Sequence, residues 1–318
     1  MAWLGRQGTR AVAVAIVLGI ALPPLGALAR PYFAETVVVL LVLAFLRVDP
    51  DALRVQWSRQ RLLIAAAVWT MVAVPVLAGF GLTALGLGLA SPALLLALML
   101  NVVAPPTFSS PALAALIGLN AAVSLALLIA CTAVTPFTAP AWVGVFAGSD
   151  VTLPPVALGL RLILILAGSA CAAMAIRAIA GKAWVERQAE RIDGLSVIAL
   201  FGFAIALMGG VLANAIENPL LVIGLLALTT AVALTFSAAT ALVFLRTAGA
   251  DTAFALAHAN GSRNMGLMLA AAAGAVPELV WLYVALAQIP IYLLPLAFKP
   301  LARRLASREA DAKGRIKQ

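Results

Sequence analysis

The sequence predicts an all-α polytopic membrane protein, with ten transmembrane helices arranged as two inverted repeats of five. Three observations lead to this prediction. The 318-residue chain is 64% hydrophobic and 10% charged, with a mean hydropathy of +1.10, whereas a soluble domain has about 25% charged residues. Apolar stretches long enough to cross about 30 Å of hydrocarbon recur from end to end. Two polar interruptions fall at corresponding positions in the two halves of the chain.

Ten apolar stretches are expected to span the bilayer, because each approaches the length of about 20 residues that a transmembrane helix needs. They cover residues 11–29, 32–47, 62–85, 92–116, 119–141, 155–180, 193–215, 219–245, 252–275 and 279–298. Five precede the loop at 148–155 and five follow it, so the second half enters the membrane from the opposite side. The chain therefore divides into a first repeat (1–150), a second repeat (151–301) and a basic tail (302–318).

The net charge of +9 does not indicate a nucleic-acid partner, because the positive residues lie in particular loops between the spans. Lysine and arginine gather before the first span, in the even-numbered connections and in the tail, whereas the alternate loops hold little beyond Arg30. By the positive-inside rule both termini are cytoplasmic, as in a protein of a bacterial inner membrane. One alternative stays open: Arg6, Arg10 and the small residues Ala27-Leu28-Ala29 also match a cleaved signal peptide, which would leave nine spans.

The two polar interruptions are the best sequence indication of a functional site. The first reads Ala-Pro-Pro-Thr-Phe-Ser-Ser over residues 104–110, and the second reads Ala-Asn-Gly-Ser-Arg-Asn over 259–264, about 155 residues later. Broken backbone at membrane depth is tolerated only where protein buries it or a watery cavity solvates it. Interrupted helices at matching positions of two halves are typical of secondary transporters, whose substrate binds at the breaks.

Arg263 is the most unusual residue of the second break, since an arginine near the bilayer centre costs at least ~2.5–3.5 kcal/mol unless it has a partner. The acidic residues of the neighbouring spans all fall near span ends; they are Glu35, Glu217, Asp251 and Glu278. The guanidinium either pairs with carbonyls at the ends of the half-helices or receives an anionic substrate, helped by the positive N-terminus of the half-helix that begins at Asn264. These two roles are compatible. A register that lets Arg263 snorkel is the third alternative.

The remaining polar residues of the spans have both functional and structural interpretations. His258, the single histidine, suits proton coupling by its ordinary pKa near 6.5, and it equally suits a structural hydrogen bond. Ser109 and Ser110, with Asn120 and Ser124, form a group that can coordinate a cation or bind substrate, or can hold helices together. Asn260 and Thr70 are further buried candidates.

Enzymatic chemistry is not indicated. No Cys/His cluster has the spacing of a metal site, and no nucleophile–base pair is visible. Cys131 and Cys171 lie in apolar spans and are interpreted as small core residues. We therefore expect no cofactor and no catalytic residue.

Residues 106–110, 119–124 and the Thr/Pro-rich stretch 134–140 together resemble the bile acid:sodium symporter family. The usual forms of that family are close to Pro-Gly-Gly-Thr-Ala-Ser-Asn and Gly-Asn-x-Ala-Leu-Ser. The second break, Gly-Ser-Arg-Asn-Met-Gly-Leu over 261–267, is similar to the family's Gly-x-Gln-Asn-x-Gly-Leu. The resemblance implies ten helices, of which the fourth and ninth are broken and crossed in a core domain. The first, second, sixth and seventh would form a panel domain, and the activity would be sodium-coupled import of organic anions.

The resemblance also places the family's sodium ligands, and several differ here. Ser109, Ser110 and Ser124 match one sodium site, although Ser110 replaces the usual Asn. Ala259 stands where the family has a Glu that ligates sodium at both sites, and Leu128 stands where a ligating Thr is usual. Arg263 and Thr70 each fall on a ligating Gln. Since a sodium ion about 5 Å from a guanidinium is repelled by roughly 3 kcal/mol, we hypothesise that Arg263 takes the place of sodium.

The sequence thus predicts a secondary transporter of a small organic anion, embedded in the lipid bilayer, with alternating access at the crossed breaks. The expected substrate-binding residues are Arg263, Asn264, Asn260, Ser109, Ser110 and His258. The expected residues of a degenerate ion site are Ser109, Ser110, Asn120, Ser124 and Thr70. The alternatives are an anion channel or facilitator, a binding sensor, and a sodium-coupled symporter with an altered ion site. Sodium and the proton both stay open as coupling ions, as do the substrate, the direction of transport and the oligomeric state.

Overall fold

The computed structural model describes residue 14 and residues 17–48, 60–147, 153–272 and 276–294, and these ranges are helical almost throughout. Residues 17–21 begin a helical run, and the helices that follow have these bounds: α1 Pro23–Ala29, α2 Phe33–Arg47, α3 Gln60–Val68, α4 Val74–Ala84, α5 Leu87–Ala90, α6 Pro92–Val103, α7 Ser110–Ile117, α8 Ala121–Phe146, α9 Pro155–Ala180, α10 Lys182–Arg187, α11 Ala189–Met208, α12 Val211–Glu217, α13 Pro219–Ala248, α14 Ala250–Gly261, α15 Met265–Ala272 and α16 Glu278–Leu294. Arg6, Arg10 and the tail 302–318 lie outside the described residues.

Within the described residues, six helical runs are long and apolar enough to cross a membrane, which makes the chain an integral membrane protein. They are Pro23–Arg47, Gln60–Ala84, Ala121–Phe146, Pro155–Ala180, Ala189–Glu217 and Pro219–Ala248. The other apolar helices, including α6 and α16, are shorter. The count of ten spans and their inverted repetition stay predictions.

The first of these runs differs from the sequence prediction, which has one span ending at residue 29 and the next beginning at 32. Instead, a 3₁₀ turn at Arg30–Tyr32 joins α1 to α2 without a loop. Proline is tolerated in the first turn of a helix, so Pro31 does not interrupt the run. Ala29 and Phe33, the residues on either side of the turn, both have right-handed helical dihedrals.

The half-helices that flank the two predicted breaks lie at the centre of the molecule. Every residue of α15 is buried, and so are residues 95–103 of α6. By contrast, only 22% of the most apolar window of α9 or α13 is buried inside the protein, so these helices present much of their surface to lipid. Cys171 on α9 is exposed and Cys131 on α8 is buried, so only Cys131 has the core position that the sequence predicts for both.

The helix of residues 60–84 is distorted where it faces the centre. Residues Trp69–Ala73 form a π-helical turn, in which the Val74 N–H donates to the Trp69 carbonyl. The Val74 N–H is therefore withdrawn from its α-helical partner, the Thr70 carbonyl, and the next residue, Pro75, has no N–H to offer. The Thr70 carbonyl is thus left without a backbone donor inside its own helix. Such π-bulges are frequent at functional sites.

Candidate functional site

The two breaks meet and pair with each other. Helix α6 ends at Val103 and α7 begins at Ser110, while α14 ends at Gly261 and α15 begins at Met265. Between them, Pro106 and Arg263 form an isolated antiparallel bridge. The Thr107 N–H donates to the Ser262 carbonyl at 2.8 Å, and the Asn264 N–H donates to the Pro105 carbonyl at 2.7 Å. Each break therefore supplies the hydrogen-bond partners that the other needs at membrane depth.

Polar side chains complete the helix ends beside this crossing. The Asn264 Oδ1 accepts the Leu267 N–H at 3.1 Å and so caps α15. The Asn120 Oδ1 accepts the Val123 N–H at 3.1 Å and caps α8 in the same way. Ser109 exchanges a hydrogen bond of 3.0 Å with the Thr107 hydroxyl, just before α7.

Gly261 allows α14 to lie directly against α13. A Cβ atom at this position would stand 2.0 Å from the Ser237 Oγ and 2.8 Å from the Ala233 carbonyl oxygen. Both distances are far inside van der Waals contact. The glycine of the second break therefore has a packing reason besides its flexibility.

The buried guanidinium of Arg263 donates hydrogen bonds to two backbone carbonyl oxygens. Its side chain is among the largest that are fully buried, and the residue is 2% exposed. Nη1 donates to the Ala104 carbonyl at 2.7 Å, and Nη1 and Nη2 reach the Thr70 carbonyl at 3.4 and 3.3 Å. The ring of Phe236 lies 5.5 Å from the guanidinium carbon, within the range of a cation–π contact. Ala104 is the C-cap of α6, so its carbonyl is the kind of helix-end acceptor that the sequence suggests. The second acceptor, the Thr70 carbonyl, is the one that the π-turn leaves without a backbone donor.

Thr240 joins three helices beneath Arg263. Its hydroxyl donates to the Phe236 carbonyl at 2.7 Å and accepts the Trp69 Nε1–H at 3.0 Å. It also accepts a hydrogen bond from the Asn260 amide. One hydroxyl has one donor and two acceptor positions, so Thr240 is saturated. It connects the start of the π-turn to the end of α14.

The surroundings of Ala259 are apolar. Ala259 is completely buried in a cluster with Met71, Val123, Leu127 and Cys131, among others. Leu128 on α8 is 2% exposed. Ala259 therefore places a methyl group among the apolar side chains of this cluster.

Three hydroxyls that the sequence assigns to an ion site are buried and have no hydrogen-bond partner among the described residues. They are Ser110 Oγ, Ser124 Oγ and Thr70 Oγ1, all on residues with no exposed surface. Only the backbone carbonyl of Thr70 meets Arg263.

The predicted site residues separate into an accessible and a buried group. Ser109, Asn264 and His258 are partly exposed as residues. In His258 the Nδ1 lies 3.5 Å from the Ser262 Oγ, whereas the Nε2 is buried and has no hydrogen-bond partner among the described residues. Arg263, Asn260 and Ser110 are buried. The bridge brings Ser109, Asn264 and Arg263 to the same crossing, whereas the Asn260 amide points to Thr240.

Sequence reasoning misses several contributors to this site. Trp69, Phe236 and Thr240 come from spans with no polar break, and nothing in their local pattern marks them. Arg161 gives a visible signal, because it lies within an apolar stretch, where a charge is costly. It donates to the Ala272 carbonyl, at the end of α15, at 3.4 Å.

A large apolar cavity lies next to the first break, between α2, α7, α8 and α9. Its volume is about 810 Å³, and Phe108, the neighbour of Ser109, forms part of its wall. Among the described residues that line it, Arg47, at the end of α2, is the one that is charged. The lining also includes Thr132, whose hydroxyl is buried and has no hydrogen-bond partner. We refer to this space as the apolar cavity.

Comparison with known proteins identifies a family. The family model of the Sodium Bile acid symporter family matches residues 36–218, which is more than half of the 318-residue chain. The matched range contains the first break and ends before the second. No curated protein matches the chain.

Proposed function

Because the chain belongs to the sodium bile acid symporter family, we propose that it is a secondary transporter of a small organic anion that does not depend on sodium at the family's usual sites. Access alternates by movement around the crossed breaks. The observation that carries this proposal is the position of Arg263, whose guanidinium binds the carbonyls of Ala104 and Thr70. Carbonyl oxygens are also the ligands that a hard cation such as sodium takes up, so the guanidinium supplies a resident positive charge at this point.

The charge of Arg263 works against sodium binding nearby. At an effective dielectric near 20, a sodium ion about 5 Å away is repelled by roughly 3 kcal/mol, a loss of affinity on the order of 100-fold. The carbonyls of Thr70 and Ala104 already accept hydrogen bonds from the guanidinium. Because Ala259 offers no carboxylate, nothing in its cluster offsets the repulsion.

The same charge favours an anionic substrate. Arg263 itself is buried, so we propose that substrate contacts the partly exposed groups of the crossing, Ser109, Asn264 and His258. Helix α15 starts directly after Asn264, and its N-terminus carries a partial positive charge. The buried guanidinium adds a full charge behind this surface, while Asn260 ties the end of α14 to Thr240.

The membrane orientation belongs to the proposal as well. The loop cations of the sequence place both termini in the cytoplasm by the positive-inside rule, in a bacterial inner membrane. Arg30 and Glu278, which form an ion pair of 2.6 Å, then lie on the outer side. Arg47 and Asp193, 3.0 Å apart, lie on the cytoplasmic side.

One observation favours a second candidate, a sodium-coupled symporter with an altered ion site. The hydroxyls of Ser110 and Ser124 are buried and lack partners, and such oxygens are suitable ligands for a cation. In this alternative the remaining site binds sodium through neutral oxygens alone. Proton coupling through His258 is compatible with the main proposal.

Counterflow in proteoliposomes tests the proposed function. Vesicles are loaded with an unlabelled bile acid, and uptake of the labelled compound is followed in sodium chloride and in choline chloride at one pH and ionic strength. We expect saturable counterflow of equal rate in both salts. A rate that collapses in choline would select the sodium-coupled candidate. Linear uptake without counterflow in either salt would contradict a secondary transporter and point to a channel.

A further inference from the structure

A cluster of charged and aromatic side chains surrounds Arg30 at one end of the molecule. The Arg30 Nη2 donates to the Glu278 Oε1 at 2.6 Å, and the guanidinium carbon lies over the Trp281 ring, 4.3 Å from its centre. That ring meets Phe33 edge to face, with centroids 5.1 Å apart, and Phe33 stacks on Phe203 at 5.2 Å. Tryptophan is the best aromatic partner for a cation, so more than an exposed ion pair holds these side chains together. We call these five residues the Arg30 cluster.

The Arg30 cluster joins two groups of helices. Its arginine lies in the turn between α1 and α2, and its phenylalanines lie on α2 and α11. Helix α2 packs against α9 and α11, and α1 packs against α11, so we call these four helices the α2 group. The tryptophan and the glutamate of the cluster lie on α16, where Tyr283 accepts a hydrogen bond of 2.9 Å from Asn101 of α6. Helices α6, α7, α8, α14 and α15 flank the two breaks and pack together; with α16 they form the break group.

The two groups touch at the end of the molecule that holds the Arg30 cluster. Arg177, near the end of α9, donates to the Leu46 carbonyl, near the end of α2, at 2.7 Å. The two helices therefore run in the same direction, and α9 begins at the Arg30 end. Near that beginning, a Cβ atom on Gly159 would lie 3.1 Å from the Pro140 ring of α8. Helix α9 of one group and α8 of the other are thus in direct contact there.

At the opposite end, the apolar cavity lies between the same two groups. Arg47 is part of its wall, and 17 residues of a continuous helical run separate Arg47 from Arg30, about 25 Å at 1.5 Å per residue. Helices α8 and α9 diverge towards this end, and both line the cavity, through Thr132 and Leu166 among others. Contact at one end and space at the other characterise one of the two states that alternating access requires.

We propose that the Arg30 cluster is a gate, which must open before substrate can reach the crossed breaks from the Arg30 end. This inference rests on the proposed transport function. Phe203 links the gate to the second break, because a Cβ atom on Gly266 of α15 would lie 2.7 Å from its ring. On the orientation proposed above, the gate faces the outside of the cell. Its ion pair then stabilises the state whose cavity lies towards the cytoplasm.

Two exposed positions report the separation of the two groups at the gate. Leu28 on α1 is 70% exposed and lies close to Arg30 in the sequence. Leu89 on α5 is 96% exposed, and α5 packs on α6 of the break group. The Phe80 ring of α4 lies 5.3 Å from the Phe146 ring at the end of α8, so α5, which follows α4, is at the same end as the gate.

Spin labels on cysteines in place of Leu28 and Leu89 test the gate in the purified full-length protein, without substrate. Cys171 is exposed and is replaced by alanine, whereas Cys131 is buried and is kept. Double electron–electron resonance measures the distances between the labels, and the ratio of the longer to the shorter population is the ratio of open to closed gate. Because this assay measures no transport, the gate can fail while counterflow succeeds, and the reverse, so the two proposals are tested separately.

The variants remove or reverse the ion pair of the gate. Glu278→Gln removes it, and Arg30→Glu combined with Glu278→Arg reverses it. The matched control is Asp193→Asn, which neutralises the partner of Arg47 in an ion pair of 3.0 Å. Asp193 and Arg47 lie on α11 and α2, both within the α2 group, so their ion pair does not cross between the groups.

We expect Glu278→Gln to raise the ratio of open to closed gate about fivefold, the upper end of what an exposed ion pair contributes. The reversed pair should give a ratio between those of Glu278→Gln and wild type, because it restores the ion pair but loses the contact of Arg30 with Trp281. Asp193→Asn should leave the ratio unchanged. An unchanged ratio in Glu278→Gln, or an equal rise in Asp193→Asn, would overturn the proposal. So would a reversed pair that opens as far as Glu278→Gln, because attraction between the two charges would then not hold the gate closed.

Discussion

Replacing Arg263 should convert the protein from sodium-insensitive to sodium-responsive. In wild type, a site with an intrinsic dissociation constant of about 10 mM is weakened on the order of 100-fold by repulsion from the guanidinium. At 100 mM sodium it would then add only about 0.1 kcal/mol to stability. Arg263→Gln removes the repulsion and leaves the Ala104 and Thr70 carbonyls short of donors. Each unsatisfied buried carbonyl costs about 1–3 kcal/mol, so the variant is less stable until a cation binds.

The assay is the melting temperature of purified protein in detergent, as sodium chloride replaces choline chloride at constant ionic strength. The melting temperature of wild type should not change with sodium. Sodium at 100 mM should stabilise Arg263→Gln by about 1.4 kcal/mol if its site has a dissociation constant near 10 mM. Arg263→Lys keeps the positive charge, so its melting temperature should not change with sodium. Arg161→Gln is the matched control, since Arg161 also donates to a helix-end carbonyl, at 3.4 Å, but away from the breaks.

Two results would refute this reasoning. A dose-dependent rise in the melting temperature of wild type would mean that sodium binds despite the guanidinium. An Arg263→Gln variant that folds but ignores sodium would mean that the carbonyls of Ala104 and Thr70 are not a cation site. In the second case Arg263 would be a structural cross-link between the breaks and the π-turn.

Three further predictions concern the neighbours of Arg263. Thr240→Val removes the acceptor of the Trp69 Nε1–H and of the Asn260 amide. It should destabilise the protein by about 1–3 kcal/mol, because the amide keeps the Phe236 carbonyl within 3.5 Å, whereas Thr235→Val, at an exposed position of the same helix, should leave the melting temperature unchanged. Pro75→Ala adds an N–H that can donate to a carbonyl of the π-turn. In that background Arg263→Gln should lower the free energy of unfolding by at least about 1 kcal/mol less than it does in wild type, as measured by a double-mutant cycle. Ala259→Glu combined with Arg263→Gln should bind sodium more tightly than Arg263→Gln alone, and an equal sodium midpoint would show that position 259 does not reach the ion.

Much of this arrangement is visible in the sequence, because its chemistry is local. Proline and polar residues inside apolar spans predict the breaks at 104–110 and 259–264, and the helices are interrupted there. The cost of a buried charge predicts that Arg263 needs carbonyls, and the C-cap residue Ala104 supplies one. Asn264 and Asn120 cap their helices, a role that differs from the substrate and ion binding that the sequence suggests for them.

The parts that the sequence does not reveal depend on contacts between distant spans. The π-turn at Trp69–Ala73 contains one residue more than an α-helical turn, and the spacing of hydrophobic residues in this uniformly apolar span does not reveal it. The second acceptor of Arg263 therefore comes from a span that looks regular apart from Pro75. Thr240 is one of many threonines that bond back to their own helix; only the approach of Trp69 and Asn260 distinguishes it. The continuous helix through Arg30–Tyr32 is missed because proline and arginine together suggest a loop.

The pairing of the two breaks also bears on how the chain is made. The Pro105 carbonyl and the Thr107 N–H find their partners about 155 residues later, at Asn264 and Ser262. When the fourth predicted span enters the bilayer during synthesis, these partners have not yet been added to the chain. Each unsatisfied backbone group costs several kcal/mol in hydrocarbon, so the broken fourth span is not stable in the bilayer by itself. We expect it to stay in contact with water or with the insertion machinery until the ninth span is inserted. The two halves then fold together and not one after the other.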